Sequence, residues 1–166
     1  DFPADLIKEL FLKGDFLHNG GDIHITAGRD VLGADSHQFI SEWMSRVGGI
    51  DNSLSSEVDL PVAWAIDVAR FQQNIGALGG GDVTLTAGGD IDNLSIVIPT
   101  TGQPVDGSGT APSVAGGGDL RIETGGDVRG GVFYLGKGRA DIAAGGSVTS
   151  AAGESVYPIL ALGDGQ

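Results

Sequence analysis

The chain has 166 residues, enough for one domain with a sizeable core, and 30 of them are glycine while none is cysteine. Glycine does not recur every third residue and there are only 6 prolines, which excludes collagen, and a hydrophobic content of 40% in ordered patterns excludes a disordered chain. Nine Lys and Arg against 22 Asp and Glu give a formal charge of −13, which argues against nucleic acid and anionic membranes as partners.

No run of 18 apolar residues occurs, so no membrane insertion is expected. No signal peptide is visible, and an opening at Asp1 reads as a fragment whose targeting sequence lies elsewhere. Without cysteine there is neither a disulfide framework nor a thiolate metal site.

In chain order, the first predicted element is a helix over Asp5–Lys13, with Leu6, Ile7, Leu10 and Phe11 on one side and Gly14 as its stop. Residues 1–19 are thus assigned as a helical cap. Next comes Gly20-Gly21-Asp22-Ile23-His24-Ile25-Thr26-Ala27-Gly28-Arg29-Asp30-Val31, which recurs from Gly80 to Ile91 and from Gly117 to Val128. A degenerate fourth copy runs from Lys137 to Val148. Aligned, the copies have apolar columns at Ile23/Val83/Leu120/Ala140, Ile25/Leu85/Ile122/Ile142, Ala27/Ala87/Thr124/Ala144 and Val31/Ile91/Val128/Val148. Polar or small residues stand between them, so each copy reads as a short strand with one buried face. The Gly-Gly-Asp groups read as corners: glycine supplies positive φ, and Asp holds the turn by accepting a nearby N–H.

Copies three and four lie 20 residues apart and copies two and three 37 apart. The excess matches the Thr/Gly/Pro/Ser/Ala stretch at 100–116, assigned as an exposed loop. Copies one and two lie 60 apart, either three periods or one period with a 40-residue insertion. A second strand follows at Leu94–Ile98 and at Val132–Leu135, and a third side has little room beyond the turns. The spacing predicts an all-β fold, a right-handed parallel β-helix (solenoid) with about 20-residue rungs and helical or loop insertions. Residues 1–166 form a single unit of it. A sandwich of hairpins would give no reason for one column to repeat at a fixed period.

Residues 33–79 are assigned as an insertion with a helix near 36–47, where Phe39, Ile40, Trp43, Met44 and Val47 fall at helical spacing. Ser36 would cap it and Gly48-Gly49 would end it. Val62–Ile75 fits both periods, and a strand or a mixed segment is expected there. Both Trp residues are expected to lie between a helix and the solenoid rather than on a sugar-stacking platform.

A search for chemistry assigns no catalytic, cofactor-binding or metal-ligating residue. His18, His24 and His37 lack metal-ligand spacing, and Gly136-Lys137-Gly138 lacks the rest of a phosphate loop. Asn93-Leu94-Ser95 is formally a glycosylation sequon. Asp22, Asp82 and Asp119 share one corner, and Asp30, Asp90 and Asp127 the next. Stacked carboxylates can bind Ca²⁺ or act as an acid/base pair. A residue repeated in every rung nevertheless serves the turn, because catalysis happens once, and the expectation is a chain that is not an enzyme.

The phrases Gly79–Ile91, Asn93–Gly102, Gly130–Gly138 and Ala143–Val148 resemble filamentous-haemagglutinin-type exoproteins, across roughly residues 20–33 and 72–166. That resemblance implies a large secreted protein of the bacterial outer surface, exported by two-partner secretion through an outer-membrane transporter and forming β-helical fibres for adhesion. The implied partner is a receptor or glycan on a host cell or surface, and the fragment is expected to self-associate end to end unless its helices cap it. The alternatives are a polysaccharide-binding or polysaccharide-cleaving β-helix and the stem of a contact-dependent toxin-delivery protein.

Overall fold

The computed structural model describes residues 14–36, 38–50, 59–104, 112–151 and 159–162, and the fold is all-β. Its strands are β1 (Ile23–Ala27), β2 (Val31–Leu32), β3 (Met44–Ile50), β4 (Asp59–Ile66), β5 (Ile75–Gly76), β6 (Val83–Ala87), β7 (Ile91–Asp92) and β8 (Ile96–Ile98). There follow β9 (Thr100–Gln103), β10 (Ser113–Gly116), β11 (Leu120–Thr124), β12 (Val128–Arg129), β13 (Val132–Leu135), β14 (Ala140–Ala144), β15 (Val148–Thr149) and β16 (Ile159–Leu162). Among the described residues no helix is long and apolar enough to cross a membrane.

The chain divides into two compact units rather than the single unit expected. The larger comprises residues 19–38, 72–100 and 116–166. It holds three four-stranded sheets in the orders β1-β6-β11-β14, β2-β7-β12-β15 and β5-β8-β13-β16, and the strands within them pair in parallel. Each copy of the repeat therefore gives one strand to each sheet. Ile23 pairs with Val83, Val83 with Leu120 and Leu120 with Ala140, so the aligned columns of the sequence are the stacked columns of the fold.

Alternation is why these strands pair this way, since a slip of one residue would turn the apolar set to solvent. In β6 and β11 the inward residues Val83, Leu85, Leu120 and Ile122 are at most 1% exposed. In the outer strands β1 and β14 the same columns are only partly buried. A single core joins Val83, Leu85, Ile91, Ile96, Ile98, Leu120, Ile122, Val128, Phe133 and Leu135. Burial of each such side chain is worth roughly 1.5–3 kcal/mol.

Glycine is required where successive corners nearly touch. Gly81 has φ +120, and a Cβ there would lie 2.7 Å from the carbonyl carbon of Gly21. Gly117 has φ +82, and its Cβ would meet the Lys137 carbonyl oxygen at 2.8 Å. An L-side chain at either place is strained and also collides with backbone.

These pairings decide between the two readings of the 60-residue spacing and correct two other expectations. Copies one and two are adjacent, so their 60-residue spacing is one period plus an insertion. The third side is real, though its strands have two residues each: β2, β7, β12 and β15 carry the Val31/Ile91/Val128/Val148 column. The insertion ends before residue 79, because Ile75 of β5 already pairs with Ile96.

The smaller unit comprises residues up to 18, 39–71 and 101–115, and its sheet has the order β10-β9-β4-β3. β3 runs antiparallel to β4 with Met44 opposite Ile66 and Arg46 opposite Trp64, and Trp64 also faces Gly102 of β9. The helix expected near 36–47 is absent. A 3₁₀ turn occupies Ile40–Glu42, closed where the Phe39 N–H donates to the Glu42 carboxylate at 2.6 Å, and Met44 then enters a strand. A lone helix of about 12 residues is marginal, and long-range pairing with β4 outweighs the local period. The strand favoured for 62–75 is present to Ile66, after which a 3₁₀ turn covers Val68–Arg70.

The exposed loop assigned to 100–116 begins and ends in strands. Its two ends are β9 and β10, and Thr100 and Thr101 are buried; residues 105–111 lie outside the described set. Of the helical cap assigned to 1–19, residues 1–13 also lie outside it. Asp15 pairs in antiparallel fashion with Ile66, and Phe16 packs on Ala63 and Ala65.

Candidate functional site

Two features collect the residues singled out for chemistry: the aspartate corners of the larger unit and the aromatic cluster of the smaller one. In the first corner the Oδ1 of Asp22 accepts the backbone N–H of Asp82 at 2.9 Å, and Asp82 accepts that of Asp119 at 2.8 Å. Asp119 in turn accepts the N–H of Arg139 at 2.8 Å. In the second corner Asp30, Asp90 and Asp127 accept from Asp90, Asp127 and Ser147, each at 2.8 Å. Each carboxylate therefore bonds the equivalent residue one repeat later.

That is a ladder between repeats, where sequence reasoning placed the bond inside the turn. The fourth copy, with Arg139 and Ser147 at these positions, donates its N–H groups to Asp119 and Asp127 and carries no aspartate of its own there. The pattern of three Asp then none was the signal available in the sequence.

Arg129, which sequence reasoning did not single out, ties the second corner together. Its Nε donates to Asp92 Oδ1 at 2.6 Å, its Nη1 to Asp127 Oδ2 at 2.8 Å, and its Nη2 to Asp90 Oδ2 at 2.5 Å. The guanidinium side chain is 31% exposed, so the cluster is half-buried. The N–H of Asp127 and then the Arg129 bond hold the Asp90 carboxyl below its usual range, and the carboxylates hold Arg129 more firmly protonated. A general acid needs a raised carboxyl pKa, and this one is shifted the other way.

The depressed Asp90 sets a pH signature. The stabilisation it gives is complete above the unfolded-state value near 3.9 and is lost as pH falls through the lower folded-state value. Arg129→Ala should therefore cost stability by a constant amount above about pH 5, with the gap to wild type narrowing below about pH 4. Urea denaturation at pH 3, 4 and 7 measures this, and an undiminished gap at pH 3 would contradict it.

Among the described residues no group of three or more His, Cys, Asp or Glu is placed to hold a metal ion. His18 is exposed near the Phe16 carbonyl oxygen, His24 points outward from β1, and His37 lies outside the described residues. Lys137 is exposed in the turn between β13 and β14. Asn93 has φ +50 and its amide donates to Asp35 at 3.1 Å, so the sequon sits in a corner, and its Ser95 is buried.

In the smaller unit Trp43 is fully buried, edge-on to Phe71 with ring centroids 5.3 Å apart. It packs against a turn and strands rather than under a helix. Trp64 is half-buried and lies over Gly102, where a Cβ would strike the indole ring. Among the described residues of this unit, the large apolar side chains left in water are Phe39, at 75% exposure, with Val68 and Val114. No protein-family model, no curated protein and no solved structure matches the chain.

Proposed function

We propose that the larger unit is a right-handed parallel β-solenoid, and that the chain is a structural and adhesive segment of a large secreted bacterial surface fibre. In this reading the parent crosses the outer membrane through a dedicated transporter and stands on the cell surface. The rungs give length and stiffness, while the smaller unit meets a receptor or glycan. The observation that carries the proposal is the stacking of four repeat copies in one parallel register, each copy one rung. Parallel crossover connections are right-handed in nearly all proteins, which supplies the hand.

Two further observations support a structural role for the rungs. The repeated carboxylates are engaged with backbone N–H groups of the next rung, so their chemistry is spent within the fold. The outward columns of β1, β6, β11 and β14 are polar, charged or small, while Phe39, Val68 and Val114 of the smaller unit, like Leu32 and Val148 of the larger one, present apolar surface of the kind that partners cover. The resemblance of Gly79–Ile91 and Gly130–Gly138 to filamentous-haemagglutinin-type exoproteins points to the surface location.

The test is a glycan and polysaccharide panel, with and without Ca²⁺, read for both binding and turnover. Binding without turnover, lost in a Phe39→Ser/Val68→Ser double variant, is the expected result. Turnover of a polysaccharide that a single Asp→Asn change abolishes would replace this reading with an enzymatic one.

A further inference from the structure

Asn19 and Gly20 stand side by side because the fold suits each of them, and we infer that Asn19 is a site of self-modification, losing its side-chain amide to attack by the Gly20 backbone nitrogen. Asn19 has φ +61, a left-handed conformation that asparagine tolerates and most side chains do not. Gly20 lies against the second copy of the repeat. A Cβ there would come within 2.0 Å of the Gly80 carbonyl oxygen and 2.8 Å of the Gly79 carbonyl carbon. A side chain at position 20 is therefore excluded by backbone, not by a neighbour that could swing aside. The same bareness removes the steric bar that a side chain raises to cyclisation. The inference concerns the larger unit by itself and does not depend on what the smaller unit binds.

The chemistry needs only water. The Gly20 nitrogen attacks Asn19 Cγ, an N–Cγ bond forms and the Cγ–Nδ2 bond breaks. Ammonia leaves with the proton that Gly20 gave up, and a cyclic imide remains. Water then opens the imide at either carbonyl. Cleavage of the N–Cγ bond restores the main chain with an aspartate at position 19. Cleavage between the nitrogen and the main-chain carbonyl carbon gives isoaspartate, whose main chain runs through Cβ and Cγ and is longer by an atom. No oxidation state changes. Either product adds a carboxylate to a chain whose formal charge is already −13.

The native fold holds this reaction back. The Gly20 N–H donates to the Gly79 carbonyl oxygen at 2.9 Å, so the nitrogen that must give up its proton is engaged as a donor. Attack waits for the first copy to lift from the second at this corner, a local opening. The other described asparagines lack the conjunction. Asn93 shares the left-handed backbone, at φ +50, but Leu94 follows it and its amide donates to Asp35 at 3.1 Å. Asn74 precedes Ile75, and its amide donates to the Ala34 carbonyl oxygen at 3.0 Å and accepts the Ser95 N–H at 2.7 Å. The added atom of isoaspartate displaces Gly20 from Gly79. It strains the next bond along, from the Ile23 N–H to the Asp82 carbonyl oxygen at 2.8 Å.

The wild-type chain, held in mildly alkaline buffer with and without urea, is sampled by mass-spectrometric peptide mapping and by an isoaspartate-specific methyltransferase. Asn19 should convert ahead of Asn74 and Asn93 in both conditions, and at least about tenfold more slowly in the native chain than in urea. Ile25→Ala thins the seat of β1 on β6, where Ile25 pairs with Leu85, without touching the reacting atoms. It should raise the native rate about three- to tenfold. Asn19→Gly keeps the left-handed backbone and has no amide to lose, so its peptide should show no isoaspartate. In hydrogen exchange the isoaspartate form should lose protection at Ile23, whereas the Asn19→Asp chain, with a main chain of ordinary length, keeps it. Conversion of Asn19 no faster than that of Asn74 in urea would remove the site. A native rate equal to the urea rate, or one unmoved by Ile25→Ala, would overturn the gating by the Gly20–Gly79 bond.

Discussion

Ile122→Ala should lower the unfolding free energy of the larger unit by about 3–5 kcal/mol, whereas Ile142→Ala should cost only about 1–2 kcal/mol. Both residues are isoleucines in one column, two residues into equivalent strands. Ile122 has Leu85 on one side and Ile142 on the other and is fully buried, while Ile142 belongs to the outermost strand and is partly open. Removing the Ile122 side chain leaves a cavity that the flanking strands cannot close, because their spacing is fixed by backbone bonds and by the aspartate ladder, as in Asp82 to the Asp119 N–H at 2.8 Å. At position 142 the void opens to water, and only transfer free energy is lost. Equilibrium urea denaturation of the two variants measures the difference. Equal losses would contradict the stacking of the two strands at the end and in the middle of one sheet.

The larger unit was legible because its columns state the register directly. A residue such as Ile25 predicts the environment of Leu85, Ile122 and Ile142, and period-2 alternation selects which face goes inward. The third sheet was harder to see, although its Val31/Ile91/Val128/Val148 column was plain. A two-residue strand has no periodicity of its own, and only pairing with its neighbours makes it a strand. The aspartate corners were found and read as holding turns, and what was misplaced was the partner of the bond. Alignment of one copy suggests a local turn bond, whereas comparison of Asp119 with Arg139 and of Asp127 with Ser147 shows that the bond runs to the next copy. Arg129 was missed because its column, Leu32/Asp92/Arg129/Thr149, varies; a charge that occurs once in a stack has no repeat to announce it.

The smaller unit resisted sequence reading for a physical reason. Its pairings join segments far apart in the chain, Asp15 with Ile66 and Trp64 with Gly102, and none is repeated. Phe39, Trp43 and Val47 carry a helical period that is strong locally, yet a short helix is worth little against an antiparallel partner. Gly102 looked like a loop residue, and it is the place where the strand must lie close under the Trp64 indole. Glycine in a strand marks close approach as readily as it marks a turn.

Trp43→Ala should be the most damaging change in the smaller unit, costing about 3–5 kcal/mol, with Trp43→Phe costing less. The indole is fully buried and meets Phe71 edge-on, and its own backbone carbonyl accepts the Asp67 N–H at 2.7 Å, so ring and main chain together hold the turn beside β4. Phenylalanine keeps an edge-on aromatic contact, worth roughly 0.5–1.5 kcal/mol beyond area, and gives up only part of the volume. The chain has two tryptophans, so the variant leaves Trp64 as the sole reporter, and its emission should move to longer wavelength as the half-buried indole loses Gly102 beneath it. Hydrogen exchange should lose protection at Ala63, Ala65 and Ile66, while Leu85 and Ile122 keep theirs. Adhesion should fall with it, since Phe39 lies four residues before Trp43, across the 3₁₀ turn that the indole anchors. A Trp43→Ala chain that binds as wild type does, with protection at Ala63 and Ala65 unchanged, would remove the smaller unit from the proposed adhesive surface.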